Sequence, residues 1–141
     1  MADPLSVAAS IAGLLALSGS IISILRSVDS SRTSRPYLVP LARSEITNVR
    51  TVIQAINKVI AANQRSDRES FIIVEDFLFT LTDMALTMLE LEKLLKGVQG
   101  DKNALLRTAR WMARERDVHD LLQRLGNQKA TLALMLNILQ W

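Results

Sequence analysis

The sequence predicts an all-α protein, an antiparallel bundle of four to five helices with a hydrophobic N-terminal helix. Hydrophobic residues make up 49% of the chain but aromatic residues only 4%, a balance that favours helices over sheets of β-branched and aromatic residues. Apolar residues recur at spacings of three and four, and no stretch alternates with the strand period. The 141 residues suit one domain, residues 1–141, with a buried core.

The first predicted helix, residues 4–28, organises the rest of the chain. Asp3 and Pro4 form a helix start, an N-cap acceptor followed by proline, and no charged residue occurs from Pro4 to Leu25. Bulky side chains gather mainly on one face and small ones on the other. If this helix inserts into a membrane, the bulky residues that enter it are Leu5, Val7, Ile11, Leu14, Leu15, Leu17, Ile21, Ile22 and Leu25. The small residues, spaced for close helix–helix packing, are Ala9, Ala12, Gly13, Ala16, Gly19 and Ser23.

Four interpretations of this segment compete. A secretory signal is disfavoured because no Lys or Arg precedes the apolar run and Asp3 lies where positive charge belongs. A permanent anchor is weakened by five serines and two glycines, although about 20 apolar residues suffice to span a bilayer. A buried helix of a soluble bundle, and a helix that is soluble in one state and membrane-inserted in another, both stay open.

A polar segment, residues 29–36, is predicted to be a loop. It is rich in serine and arginine and ends at Pro36, and Pro40 follows closely, so both prolines disfavour a helix there. The segment is either a solvated connection or a basic surface attracted to anionic lipid headgroups beside an inserting helix. The residues of the headgroup hypothesis are Arg26, Arg32, Arg35 and Arg43.

The two middle helices are predicted at residues 41–63 and 67–97. The former has an apolar seam at spacings of three and four, formed by Ile46, Val49, Ile53, Ile56 and Ile60. The latter opens with a capping box, Ser66 and Glu69, and ends at Gly97 and Gly100. Its apolar sector is wide, so we expect a central helix that is contacted on two or more sides.

The last part of the chain is predicted as two helices, residues 102–112 and 115–140. Asp101 can cap the first, and a break is placed between Trp111 and Arg114 although no proline enforces one. The second has Val118, Leu121, Leu122, Leu125, Leu132, Met135, Leu136 and Leu139 on one face. Gly126-Asn127 is a tolerated weak point or a bend.

Charge alternates along the chain. Residues 26–65 carry seven basic and two acidic side chains, residues 67–96 three and seven, and residues 102–129 seven and three. Successive helices of opposite sign attract each other, although each exposed pair contributes little. A nucleic-acid binder concentrates basic residues with stacking aromatics, so no nucleic-acid partner is predicted.

Residues that could carry chemistry are scarce. His119 is the only histidine and cysteine is absent, so neither disulfides nor thiolate metal sites are expected. No metalloprotease, nucleophile-elbow or phosphate-loop motif occurs. We therefore expect a non-enzyme with no catalytic residues, no cofactor and no metal, and a cytosolic chain by default.

The opening M-A-D-P-L-S-V-A-A-S-I-A-G-L-L resembles the HeLo-like N-terminal domain of fungal STAND and NOD-like receptor proteins. The likeness continues in S-E-I-T-N-V-R-T-V-I, residues 44–53, and in D-V-H-D-L-L-Q-R-L-G-N-Q-K-A-T-L-A-L-M-L, residues 117–136. The opening is fairly specific and the middle is not. Together they cover essentially the whole chain.

The resemblance implies a cell-death executioner of fungal innate immunity, similar to the bundles of plant coiled-coil immune receptors and of the necroptosis pseudokinase. In that family a receptor or amyloid-signalling partner, C-terminal or separate, gathers copies into a homo-oligomer. The N-terminal helix then permeabilises the plasma membrane, so the protein would be cytoplasmic when inactive and at the plasma membrane when activated. Pro4–Leu25 lacks the carboxylate that related executioners often carry, which leaves a pore and simple membrane disruption both open. The alternative is a soluble homotypic adaptor of a STAND protein that never inserts.

Overall fold

The computed structural model shows four helices and no other regular structure in the residues that it describes. It describes residues 4–30, 38–62, 69–99 and 104–140, with side chains over residues 9–27, 39–61, 75–97 and 109–138. The helices are α1 (Pro4–Ser30), α2 (Leu38–Ala62), α3 (Glu69–Gln99) and α4 (Ala104–Gln140). Within those ranges no residue is in a β-strand. The predicted fold class is confirmed in its helical character and in its apolar first helix.

The start of α2 differs from the prediction. The helix begins at Leu38, three residues before the predicted Leu41, and Pro40 lies inside its first turn. A proline is compatible with that position because the first N–H groups of a helix have no intrahelical acceptor. The expectation that Pro40 disfavours helix was therefore wrong.

The predicted division of the last part of the chain is also wrong. A single helix, α4, continues from Ala104 to Gln140 through Trp111, Arg114 and Gly126. Residues 112–116 are Met-Ala-Arg-Glu-Arg, all good helix formers. With no proline to remove a backbone hydrogen bond, the helix has no reason to break.

The four helices form a ring of contacts. Helix α1 contacts α2 and α3, and α4 contacts the same two helices. Over the described residues, α1 does not contact α4, and α2 does not contact α3. The order around the ring is thus α1, α2, α4, α3, so helix α3 has the same number of neighbours as the others and is not central.

Hydrogen bonds between α3 and α4 fix how these two helices align. Near the start of α3, Thr80 Oγ1 contacts Met135 Sδ at 4.0 Å. Near its end, Arg114 Nη1 donates to the Leu94 carbonyl at 3.2 Å. The contacts therefore follow opposite order along the two helices.

The core is built from apolar rows at spacings of three and four. In α2 the predicted row is confirmed as fully buried and begins earlier, since Val39 and Ala42 extend it at the same spacing. In α3 the buried row is Phe77, Leu81, Met84, Met88, Leu91 and Leu95. Leu78 and Ala85 are only half-buried and pack at the edge of that row. Side chains from such rows interlock between neighbouring helices.

Candidate functional site

The bulky side of α1 faces the core. Ile11, Leu14, Ile21 and Leu25 are at most 1% exposed, and the half-buried Leu15, Leu17 and Ile22 pack against them. All seven are residues of the predicted insertion helix. The other two, Leu5 and Val7, lie in α1, but their side chains are outside the described residues. The residues that would enter lipid therefore hold the bundle together in this state.

The small side of α1 faces solvent. Ala9, Ala12, Gly13, Ala16 and Ser23 are exposed and Gly19 is half-buried. A Cβ atom added at Gly13 or Gly19 would meet no heavy atom within 4 Å. Sequence spacing therefore separated the two faces correctly, but the small face does not pack against another helix among the described residues.

Two buried residues of α1 were missing from the predicted set. Ile24 is 5% exposed and Ser18 is fully buried. The Ser18 hydroxyl donates to the Leu15 carbonyl at 2.8 Å, which satisfies its donor inside the helix. The signal for Ser18 was present, because it continues the three–four spacing from Leu14 to Ile21, but a serine is not bulky and it was assigned to neither face.

By length and composition α1 could cross a membrane. The segment Ala9–Ser27, 19 residues long, has a mean hydropathy of 1.7. The core helix of a soluble protein can pass the same test, but such a helix is mostly buried. In this segment 33% is buried, and the half-buried Leu15, Leu17 and Ile22 also pack against the core. A signal sequence near an N-terminus passes the same test as well.

The predicted basic residues are only partly described. Arg26 is exposed near the end of α1, and Arg43 is half-buried in α2. Arg32 and Arg35 lie outside the described residues. Of the four arginines, the structure therefore places only Arg26 and Arg43.

An open groove of about 610 Å³ lies between α3 and α4, and sequence reasoning missed it. Its lining mixes charges and apolar groups: Glu90, Lys93, Leu94, Gly97, Arg114, Asp117, Asp120 and Leu121. Arg114 reaches across it to Leu94, as described above, and Arg110 Nη1 lies 3.5 Å from the Gly97 carbonyl. Both guanidinium groups thus approach carbonyls near the C-terminal end of α3, where positive charge is favoured.

A cluster of polar side chains is buried between α3 and α4. Gln128 is 7% exposed, and its Nε2 donates to Asp83 Oδ2 at 2.9 Å and to Thr87 Oγ1 at 3.0 Å. Its Oε1 is buried and has no hydrogen-bond partner among the described atoms. One residue further, Lys129 Nζ lies 3.0 Å from Glu45 Oε1 of α2, an ion pair that lacks hydrogen-bond alignment.

Chemistry-bearing residues are not gathered into a site. His119 is half-buried on α4, and the described residues include no group of three or more His, Cys, Asp or Glu side chains that could hold a metal ion. The groove holds three carboxylates and two cations, but no histidine, serine or threonine beside them. The strongest functional feature of the described structure is therefore the first helix.

The chain matches no protein-family model, no curated protein and no solved structure.

Proposed function

We propose that this domain is a regulated cell-death effector of a fungal immune-type receptor, which oligomerises and targets or permeabilises the plasma membrane through its N-terminal helix. The observation that carries the proposal is the apolar segment Ala9–Ser27, which is long enough to span the hydrocarbon core. The likeness of the opening, residues 1–15, to HeLo-like domains supports the same function. In this proposal each helix is antiparallel to the next along the chain, which the order of the α3–α4 contacts supports.

Membrane entry by α1 requires a trigger, because its bulky residues are committed to the core. Five large aliphatic side chains of α1 are buried: Ile11, Leu14, Ile21, Ile24 and Leu25. Each contributes about 1.5–3 kcal/mol when fully removed from water. Release into water would therefore cost on the order of 10 kcal/mol, and transfer into lipid would return much of it. Assembly of several copies at a membrane surface is a suitable trigger. At that surface the bulky residues of α1 pass from the core into lipid and are not left exposed to water.

The basic side chains near α1 would assist at an anionic surface. Arg26 is exposed one residue beyond the uncharged stretch, where it can stay among headgroups while the helix enters. Each cation near such a surface contributes about 1 kcal/mol. Binding should therefore increase with anionic lipid and fall with salt.

Dye release from liposomes that contain anionic lipid tests the proposal. Deleting α1 would be a poor variant because it removes part of the core. The exposed Ala16 lies near the middle of the segment, so Ala16→Glu and Ala16→Lys add a charge without disturbing packing. A charge at the centre of a membrane helix costs about 2.5–3.5 kcal/mol. We expect both variants to lose dye release while their circular dichroism stays that of the parent.

Comparing Ala16→Lys with Ala16→Glu distinguishes insertion of α1 from docking on the membrane surface. A lysine would strengthen docking on anionic lipid and a glutamate would weaken it, whereas both oppose insertion. The matched controls are Gln54→Glu and Gln54→Lys on the exposed side of α2, which should release dye like the parent. If Ala16→Lys released dye as well as the parent does, α1 would not enter the membrane and the proposal would fail.

A soluble homotypic adaptor is the second candidate function. The observation that favours it is a row of exposed apolar side chains on α3, which includes Phe79 and Leu86. Such a face suits a protein partner. Self-association that continues while lipid has no effect would favour this alternative.

A further inference from the structure

Helix α3 has a second apolar row that faces away from the core. Phe79 is 78% exposed, Leu86 60% and Leu89 51%, and the exposed Thr82 lies between them. The spacings are three, four and three residues, the pattern of a helix–helix seam. The buried row of α3, from Phe77 to Leu95, has the same pattern and packs inside. Helix α3 thus carries two seams, and among the described residues only the inner one has a partner.

The charges beside this outer seam indicate what could cover it. Carboxylates of α3 border it at Glu75, Asp76, Asp83 and Glu90. An anionic membrane would be repelled by this border, so the seam is a poor surface for lipid. Lys93 is exposed at its far end. Glu75 and Lys93 therefore lie on the line of the seam, one at each end of the apolar residues, while Asp76, Asp83 and Glu90 follow one edge.

The outer seams of two copies complement each other when the two α3 helices pair antiparallel. With two α3 helices centred on each other, Phe79 of one copy meets Leu89 of the other, and Thr82 meets Leu86. The same register places Glu75 of each copy opposite Lys93 of the other, which gives two equivalent ion pairs. A two-fold axis generates such a closed contact.

We propose that a second copy of this chain docks on the outer seam of α3, antiparallel, to form a two-fold symmetric dimer. The remaining carboxylates at the edge oppose it by like-charge repulsion, which solvent screens at these exposed positions, and two of them already have partners. Asp83 accepts the hydrogen bond from Gln128, and Glu90 Oε2 lies 3.9 Å from Arg124 Nη1. The inference rests on the self-association step of the proposed function but not on membrane entry.

Sedimentation of the full chain without lipid tests this interface. The parent should show a concentration-dependent monomer–dimer equilibrium. Leu86→Lys, at an exposed position that contributes little to the fold, should weaken association at least tenfold and leave the circular dichroism and thermal unfolding unchanged. A chain that stays monomeric at all concentrations, or a dimer that Leu86→Lys does not weaken, would overturn the proposal.

Charge reversal tests the register. Glu75→Lys or Lys93→Glu alone turns two attractive pairs into two repulsive ones, and we expect each to raise the dissociation constant about tenfold. The double variant restores opposite charges and should associate within about threefold of the parent. Lys58→Glu, on the exposed side of α2, is the matched control and should have no effect. A double variant weaker than either single one would refute the antiparallel register.

Dye release measured on the same variants distinguishes failure of the dimer interface from failure of membrane insertion. If association follows the expected pattern while Ala16→Lys still releases dye, the interface stands and membrane insertion fails. If Leu86→Lys leaves association unchanged while Ala16→Glu and Ala16→Lys both abolish dye release, insertion stands and the interface fails.

Discussion

The guanidinium group of Arg114 occupies the space where a side chain at Gly97 would begin. A Cβ atom added at Gly97 would lie 3.0 Å from Arg114 Cζ and 3.3 Å from its Nη2, with Nη1 closer still. The same Nη1 donates to the Leu94 carbonyl. The glycine therefore leaves room for the Arg114 guanidinium of α4 beside the last turns of α3.

Gly97→Ala should destabilise the protein although alanine is the better helix former. The methyl group displaces Arg114 from Leu94 and removes a hydrogen bond to a charged donor, which contributes about 1.5–3 kcal/mol. The gain in helix propensity, about 1 kcal/mol, offsets only part of that loss. We expect the free energy of unfolding in urea to fall by about 1 kcal/mol. An increase would show that Arg114 moves aside without loss.

Gly13→Ala should have the opposite effect, which makes it a matched comparison. The glycine is exposed, lies inside α1, and has open space where a Cβ would be placed. Alanine there should raise the free energy of unfolding by about 0.5–1 kcal/mol. Urea titration of both glycine variants checks the pair. If Gly13→Ala destabilised, the small face of α1 would be packed against something that the described residues do not include.

Sequence periodicity predicted most of what holds the fold together. The seam of α2 was read correctly from Ile46 to Ile60, and the two faces of α1 were separated by side-chain size. Both results follow from the same physics, since apolar side chains at three–four spacing must lie on one side of a helix. The main feature of the candidate site, an uncharged first helix with bulky residues on one face, was therefore available from the sequence.

The errors arose where one local rule was given too much weight. The break between Trp111 and Arg114 was placed although no proline enforces one, and Trp111 is 2% exposed within a continuous helix. Pro40 was counted as a helix breaker although the first turn accepts it. On α3 two apolar rows overlap, so periodicity alone could not tell which of them faces the core, and the exposed Phe79 and Leu86 were not recognised as a separate surface.

The buried amide of Gln128 yields a further prediction. Its Oε1 is an unpartnered acceptor, and a buried unsatisfied polar group costs about 1–3 kcal/mol. The two groups that accept hydrogen bonds from Nε2 keep other partners when it is removed. Asp83 is exposed to water, and the Thr87 hydroxyl also donates to the Asp83 carbonyl at 3.1 Å. We expect Gln128→Leu to raise the free energy of unfolding by up to about 1 kcal/mol.

Gln128→Glu is the informative companion to that variant. It has nearly the same shape, but it replaces the donating amide with a carboxylate, which places a negative charge at a buried position beside the carboxylate of the exposed Asp83. We expect a loss of about 2 kcal/mol or more at neutral pH. The measurement is urea unfolding of the three proteins under one condition. If Gln128→Leu lowered the free energy of unfolding as much as Gln128→Glu, the hydrogen bonds donated by the amide would contribute more stability than the unpartnered Oε1 costs.

Loosening the packed side of α1 should promote membrane activity if the first helix has to leave the core. Ile21 is fully buried, so Ile21→Ala should lower the free energy of unfolding by about 2–5 kcal/mol. The same loss of packing lowers the free energy needed to release α1 from the core, and α1 stays apolar enough to enter lipid. Dye release from anionic liposomes should then occur at a lower protein concentration than for the parent. Ile53→Ala, which truncates an equally buried isoleucine of α2, is the control for general destabilisation. If both variants promoted release equally, global unfolding rather than freeing of α1 would explain the effect, and the role assigned to the first helix would lose its support.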